Sequence, residues 1–199
     1  MGGLSCKVTA FCFADSPKHR KIRTDYPAFK QVAVINCSFT MESDEDKPMN
    51  DYMNGSALQG IRVLDLGQMV AAPFCTSIMA DMGADVLKIE APAGDISRNS
   101  MPKVDGISTY FVTFNRSKRG ITLNLKSDKG KEVLTKLIKE ADVLVENFRP
   151  GVMKRLGFDY ETVSAVNPRI VYASISGYGQ KGKYADRACF DPIAQAISG

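Results

Sequence analysis

Five short aliphatic runs recur along this chain, at residues 61–66, 85–90, 121–125, 143–145 and 170–175. Each predicts a strand, the run over 121–125 by its alternation and the run over 143–145 as a buried one, being too short for a helix of its own. Between them lie segments of helical period. After the first run, Pro73 suits a first helical turn, Phe74, Ile78, Met79 and Met82 fall on one face, and Gly83 supplies a stop. After the third, Ser127 is placed to cap a helix in which Val133, Leu134, Leu137 and Ile138 form an apolar stripe that packs on a core. Shorter helices are expected over 152–156 and 160–166. Crossovers of this length join strands in parallel, and the alternation predicts an α/β fold, doubly wound around a mostly parallel sheet.

The 57 residues before Leu58 have a different character. Residues 1–40 carry apolar clusters without a sustained period, and residues 41–55, MESDEDKPMNDYMNG, have the acidic, aliphatic-poor composition of a disordered linker. The chain therefore divides into a tail and linker over 1–57, disordered or loosely ordered, and a folded unit over 58–199. Asp15 and Asp25 weaken a mitochondrial transit reading of the tail, because such peptides are poor in acid. The first six residues, MGGLSC, miss a myristoylation signal by having Cys6 where Ser or Thr is required.

Charge and cysteine usage exclude several classes. The chain carries a formal net charge of +4, and the first 59 residues hold equal numbers of acidic and basic side chains, so the excess lies in the folded unit. That is too mild for a nucleic-acid footprint and suits a small polyanionic ligand better. Cys6, Cys12, Cys37, Cys75 and Cys189 include no CxxC pair, which argues against a disulfide framework or a zinc site and for a reducing, cytoplasmic setting. No apolar run approaches the roughly 20 residues of a membrane span. The single histidine, His19, sits in a polar basic cluster of the tail, so Ser-His-Asp, Cys-His and His-metal chemistries are not expected.

In open α/β sheets ligands bind outside the carboxyl ends of the strands. Five loops are expected at that edge, residues 68–71, 91–98, 115–126, 147–155 and 176–191. They offer Lys118, Arg119, Lys126, Arg149, Arg155, Lys181, Lys183 and Arg187 as partners for phosphate. Neither GxGxxG after the first strand nor GxxxxGK[ST] is present, which disfavours an NAD-linked or P-loop enzyme.

The ordered series GIRVLDLGQMVAAPFCTSIMADMGADVLKIE, GDISR, FNRSKRGITLNLK, ADVLVENFRPGVMKRLGF, NPRIVYASISGYGQKG and DRACFDPIAQAISG resembles the class III CoA-transferase family. That family includes formyl-CoA and carnitine CoA-transferases and 2-methylacyl-CoA racemases, and the likeness runs from Leu58 to Gly199. It implies a Rossmann-like large domain, here incomplete, whose complete form adds a second domain and assembles as an interlocked homodimer. It also implies coenzyme A or acyl-CoA as substrate, with no permanently bound cofactor and no metal. By position, Gln68, Met69, Val70 and Ala71 would line the CoA site, Leu123 and Lys126 would contact the nucleotide portion, and Asn147, Phe148 and Arg155 would complete it. Ala91 departs from the pattern, since many members have Arg there; Ala188 stands where one member type has Lys, with Arg187 beside it as a substitute.

Two positions bear on the reaction. Racemases of the family use a His before an acidic residue, and this chain has Phe190 before Asp191, so the transferase reading is preferred over the racemase. Transferases of the family use an aspartate that forms a mixed anhydride and then an aspartyl-CoA thioester with their carboxylic acid substrates. That aspartate is expected beyond Gly199, which leaves Asp191 as a supporting acid or as the N-cap of a last helix. The chain alone is then expected to hold CoA without turning it over; a non-catalytic CoA-binding or interaction product is the alternative. Met41 is a second candidate start, which would make the first forty residues an extension; intact-mass spectrometry of the native protein distinguishes the two.

Overall fold

The computed structural model describes residues 55–198. The tail, most of the linker, His19, Cys6, Cys12 and Cys37 lie outside the described residues. In chain order the elements are β1 (Arg62–Asp65), α1 (Ala71–Asp81), β2 (Asp85–Glu90), a 3-10 turn (Ile96–Asn99), a hairpin of β3 (Lys103–Val104) and β4 (Ile107–Ser108), and α2 (Thr109–Asn115). There follow β5 (Arg119–Thr122), α3 (Asp128–Glu140), β6 (Val143–Glu146), α4 (Val152–Leu156), α5 (Tyr160–Val166), β7 (Val171–Ser174) and α6 (Asp191–Ser198). Five strands pair in parallel in the order β5-β2-β1-β6-β7, as the alternation of runs predicts.

Alternate residues of the strands face opposite sides of the sheet, and helices cover both. Val63, Val86 and Val145 pack with Ala72 and Ala80 of α1. Leu64, Ile89 and Leu144 pack with Leu134 and Ile138 of α3 and with Val163 of α5. The α3 stripe is the predicted one, and the Ser127 hydroxyl accepts the Gly130 N–H at 3.2 Å as its cap. A glycine is needed at 130 because a Cβ there would stand 2.0 Å from the Asn124 carbonyl oxygen.

Helix α1 corrects an expectation. Its large apolar residues Phe74, Ile78 and Met82 are 48%, 44% and 43% exposed, whereas Ala72, Pro73, Thr76, Ser77 and Ala80 are buried. Small side chains let this helix approach the sheet closely, so three of the four stripe residues are turned outward and only Met79 packs on the core. Phe74 meets the edge of Phe114 at 5.9 Å. Two further differences are local. Residues 110–114, to which no element is assigned from the pattern, form most of α2, capped by the Ser108 hydroxyl. The third sheet strand runs over Arg119–Thr122 instead of 121–125, because Leu123 N–H donates to the Glu90 carbonyl at the end of β2 and the chain turns away at Asn124.

Under the carboxyl end of β1 and β2 the core is ionic. Asp65, Lys88, Asp95 and Lys118 are all nearly inaccessible. Lys118 Nζ reaches Asp65 Oδ2 at 2.8 Å, and Thr76 donates its hydroxyl to the same oxygen at 2.7 Å. Lys88 Nζ lies 3.0 Å from Asp95 Oδ2 and donates to the Gly67 carbonyl at 2.8 Å. At the margin Arg98 holds Glu90 through two hydrogen bonds, 2.7 and 2.6 Å, and its guanidinium lies 3.8 Å from the Phe111 ring centre. Burial pulls the Lys118 ammonium down to about 8 against the opposing effect of Asp65. For Asp95 burial acts upward, but Lys88 and the two Ser97 hydrogen bonds outweigh it and hold the carboxyl below its ordinary value.

Two outcomes follow. Ala80→Leu should destabilise by about 1–3 kcal/mol through overpacking, whereas Ile78→Ala on the outward stripe should stay within about 0.5 kcal/mol of the parent; urea denaturation measures both. Asp95 has a lowered folded-state pKa, so its stabilising contribution is complete above the ordinary aspartate value of 3.8 and is lost as pH falls through the folded value. The stability gap between the parent and Asp95→Asn should therefore be widest above about pH 4 and close under more acidic conditions, as read from melts across a pH series.

Candidate functional site

From β1 the chain winds outward through β2 to β5, then returns to β6 beside β1 and winds the other way to β7. The reversal between β1 and β6 opens a crevice at their carboxyl ends, the position at which doubly wound sheets bind ligands. Its walls are the loops over 66–70 and 147–151.

A two-way bond joins these walls. Asn147 Oδ1 accepts the Gln68 N–H and Asn147 Nδ2 donates to the Gln68 carbonyl, both at 2.8 Å. The β1 loop is also held from below: Asp65 Oδ1 accepts the Gly67 N–H at 2.8 Å and Asp95 Oδ1 accepts the Met69 N–H at 3.2 Å. Gly67 has no room for a side chain, since a Cβ would meet Ala72 Cβ at 2.4 Å and Asp65 Oδ1 at 2.8 Å. Gln68, Met69 and Val70 are left half-buried and Ala71 exposed at the crevice mouth.

Beside Asn147 a cleft of about 140 Å³ lies between the β6 and β7 loops, lined by Asn147, Phe148, Arg149, Arg187, Cys189 and Phe190. It brings together three of the expected contact residues, Asn147, Phe148 and Arg187. Phe148 also packs on the main core cluster, so its ring is shared between core and cleft. Arg187 stands over the Tyr184 ring at 4.4 Å. Arg155, in the last turn of α4, is exposed and has no ion pair among the described residues.

Other expected residues lie elsewhere. Leu123 is buried in the core and Lys126 is exposed beyond β5. A ligand touching both Lys126 and the β7 loop must cross four strand spacings, about 19 Å. An elongated molecule is required for that. Lys118 and Arg119 stand at the start of β5, away from its carboxyl end, and are already paired, Lys118 with Asp65 and Arg119 with Asp85 at 3.0 and 2.6 Å, which disfavours them as phosphate partners. Asp191 is not an N-cap: the Phe190 carbonyl accepts the first helical N–H bonds, and Asp191, in the first turn of α6, accepts from Gln195 Nε2 at 2.5 Å.

One residue is absent from the sequence expectations. Glu146, at the end of β6, is buried, accepts the Phe148 N–H at 2.7 Å and bonds the Ser174 hydroxyl, so it ties the β6 and β7 loops together. Burial pushes its carboxyl up, opposed by those two hydrogen bonds. A carboxylate closing an aliphatic strand is the signal that marks it. Among the described residues no cluster of three or more His, Cys, Asp or Glu could hold a metal, and no helix is long and apolar enough to cross a membrane.

Comparison with known proteins agrees with this geometry. The model of CoA-transferase family III matches residues 58–199. A formyl-CoA:oxalate CoA-transferase of Streptomyces coelicolor is 50% identical over 150 residues, which are 74% of this chain and 36% of the relative. An acyl-CoA transferase of Fusarium pseudograminearum is 48% identical over 153 residues, 72% of this chain and 34% of the relative. Among solved structures, a CAIB/BAIF family protein from Brucella suis superposes with a TM-score of 0.69 at 39% identity, covering 71% of this chain and 39% of that one. A hypothetical protein from Mycobacterium tuberculosis gives 0.68 at 36% identity, covering 73% and 40%. The chain thus spans about a third of the length of the curated relatives it matches. With a family model covering the whole folded unit and relatives at half identity, the chain belongs to CoA-transferase family III.

Proposed function

We propose that this chain is the coenzyme A-holding part of a CoA-transferase that moves CoA between short carboxylic acids, with formyl-CoA and oxalate the pair named for its relatives. The observation that carries the reading is the Asn147–Gln68 bridge at the sheet's reversal point, which joins two of the expected CoA-contact loops. Exposed cations on either side, Lys126, Arg155 and Arg187, suit the phosphates of an extended ligand.

The chemistry follows the family pattern. An aspartate carboxylate attacks the acyl-CoA carbonyl and expels the CoA thiolate, giving a mixed anhydride. The thiolate then attacks the aspartyl carbonyl, releases the first acid and leaves an aspartyl-CoA thioester, and the acceptor acid completes the exchange by the reverse steps. We place that aspartate outside the described residues, because Asp191 is engaged by Gln195. The same reading includes a homodimer. The outward Phe74, Ile78 and Met82 stripe supports it by offering apolar surface for a second chain to cover.

Titrating the full chain with CoA tests the binding reading. Arg155→Ala removes a charged partner that makes no ion pair within the described chain, so it should weaken CoA about tenfold or more with the melting temperature unchanged. Absence of CoA binding by the parent would overturn the reading. Exchange of labelled CoA between formate and oxalate by this chain alone would overturn the placement of the nucleophile.

A further inference from the structure

Met69, Asp105 and Ser117 have positive φ without being glycine, and of the three Met69 lies in the crevice loop, at 62°. For an L-residue this conformation is disfavoured, so something must hold it. The loop's neighbours supply the restraint. Asp95 Oδ1 accepts the Met69 N–H at 3.2 Å, while Lys88, 3.0 Å from the other oxygen of the same carboxylate, fixes the Gly67 carbonyl two residues earlier. Asp95 is itself fixed: its N–H donates to Glu90 Oε2 at 2.9 Å, and Ser97 donates its N–H and hydroxyl to Oδ1 at 2.9 and 2.8 Å. It is 2% exposed and does not line the cleft.

We propose that Asp95 is a positioning residue for coenzyme A: by accepting the Met69 N–H it holds the left-handed turn in which residues 68–71 meet the ligand. The proposal rests on the CoA-binding reading above. It differs from a purely structural role for Asp95, in which the carboxylate serves only to neutralise Lys88. That role would lower stability and leave the affinity of folded molecules unchanged.

The test is a double-mutant cycle on the full chain, with CoA affinity and melting temperature measured in parallel. Asp95→Ala should raise the CoA Kd of the folded protein about tenfold. In the Met69→Gly background the same change should cost less than about threefold, because glycine adopts positive φ without support. Asp95→Asn separates the roles: it removes the charge opposite Lys88, so stability falls. It keeps an acceptor for Met69, so the Kd should stay within about threefold of the parent. Equal penalties in both backgrounds, or unchanged affinity in folded Asp95→Ala, overturn the proposal while leaving the CoA reading intact. Should Asp95→Ala not fold, a tenfold loss in Asp95→Asn overturns it. A parent that does not bind CoA overturns both.

Discussion

Lys88 cannot be where it is without Asp95. An ammonium buried among β2, the β1 loop and Phe111 requires a counter-charge and acceptors, and it has one of each in Asp95 and the Gly67 carbonyl. Asp95 in turn requires donors, which come from Ser97 and from Met69 in the crevice loop. Asp65 and Lys118 make a second closed set with Thr76, Asn115 and the Pro73 carbonyl. Each set joins segments far apart in sequence, and removing one partner would strand a buried charge at a cost of about 3–5 kcal/mol. Apolar residues of the same volume could give equal stability, yet they could not fix a carbonyl at 67 and an N–H at 69. What the charges contribute is therefore the shape of the loop.

The same network explains which parts of the fold are legible in the sequence. The strands advertise themselves as aliphatic runs, and each of the five sheet strands overlaps one, although the edge strands β5 and β7 are only partly buried. Helix α3 is equally plain because its stripe of Leu134 and Ile138 is the side that packs. Helix α1 is not, because a helix that approaches a sheet through Ala72, Thr76 and Ala80 hides its packing face among small residues and displays its large ones. Periodicity locates that helix, but of the four large residues it puts on one face only Met79 packs on the core. The start of the third strand is missed for a related reason: Arg119 and Gly120 look like loop, and only their pairing with Leu87 and Lys88 makes them strand.

At the site, residue type proved a weaker guide than position. Asn147 and Gln68 lie 79 residues apart and meet because the sheet reverses between their strands; the family likeness names both, but nothing in their spacing does. Conversely, Lys118 and Arg119 look like phosphate partners in a basic stretch and are consumed by Asp65 and Asp85. The clue to that was present. Asp65 and Lys88 interrupt strands that are otherwise aliphatic, and a charge in a strand buried on both faces demands an opposite charge from somewhere.

These pairings bear on what is left for a ligand. Arg98 is not free for a phosphate, because both its bonding edge and its face are taken, by Glu90 and Phe111. The Asn147 amide is spent on Gln68. On the proposed reading, attraction of an anionic ligand draws on Lys126, Arg155 and Arg187, exposed side chains whose individual attraction is screened within about 8 Å at physiological salt. Scattered screened charges fix orientation poorly by themselves. The crevice loop, by contrast, is held in one form by buried bonds, so on the proposed reading little ordering cost remains when a ligand arrives. On the proposed reading, selective binding resides in the preset backbone of residues 67–70, with the surface cations adding attraction along the length of the molecule.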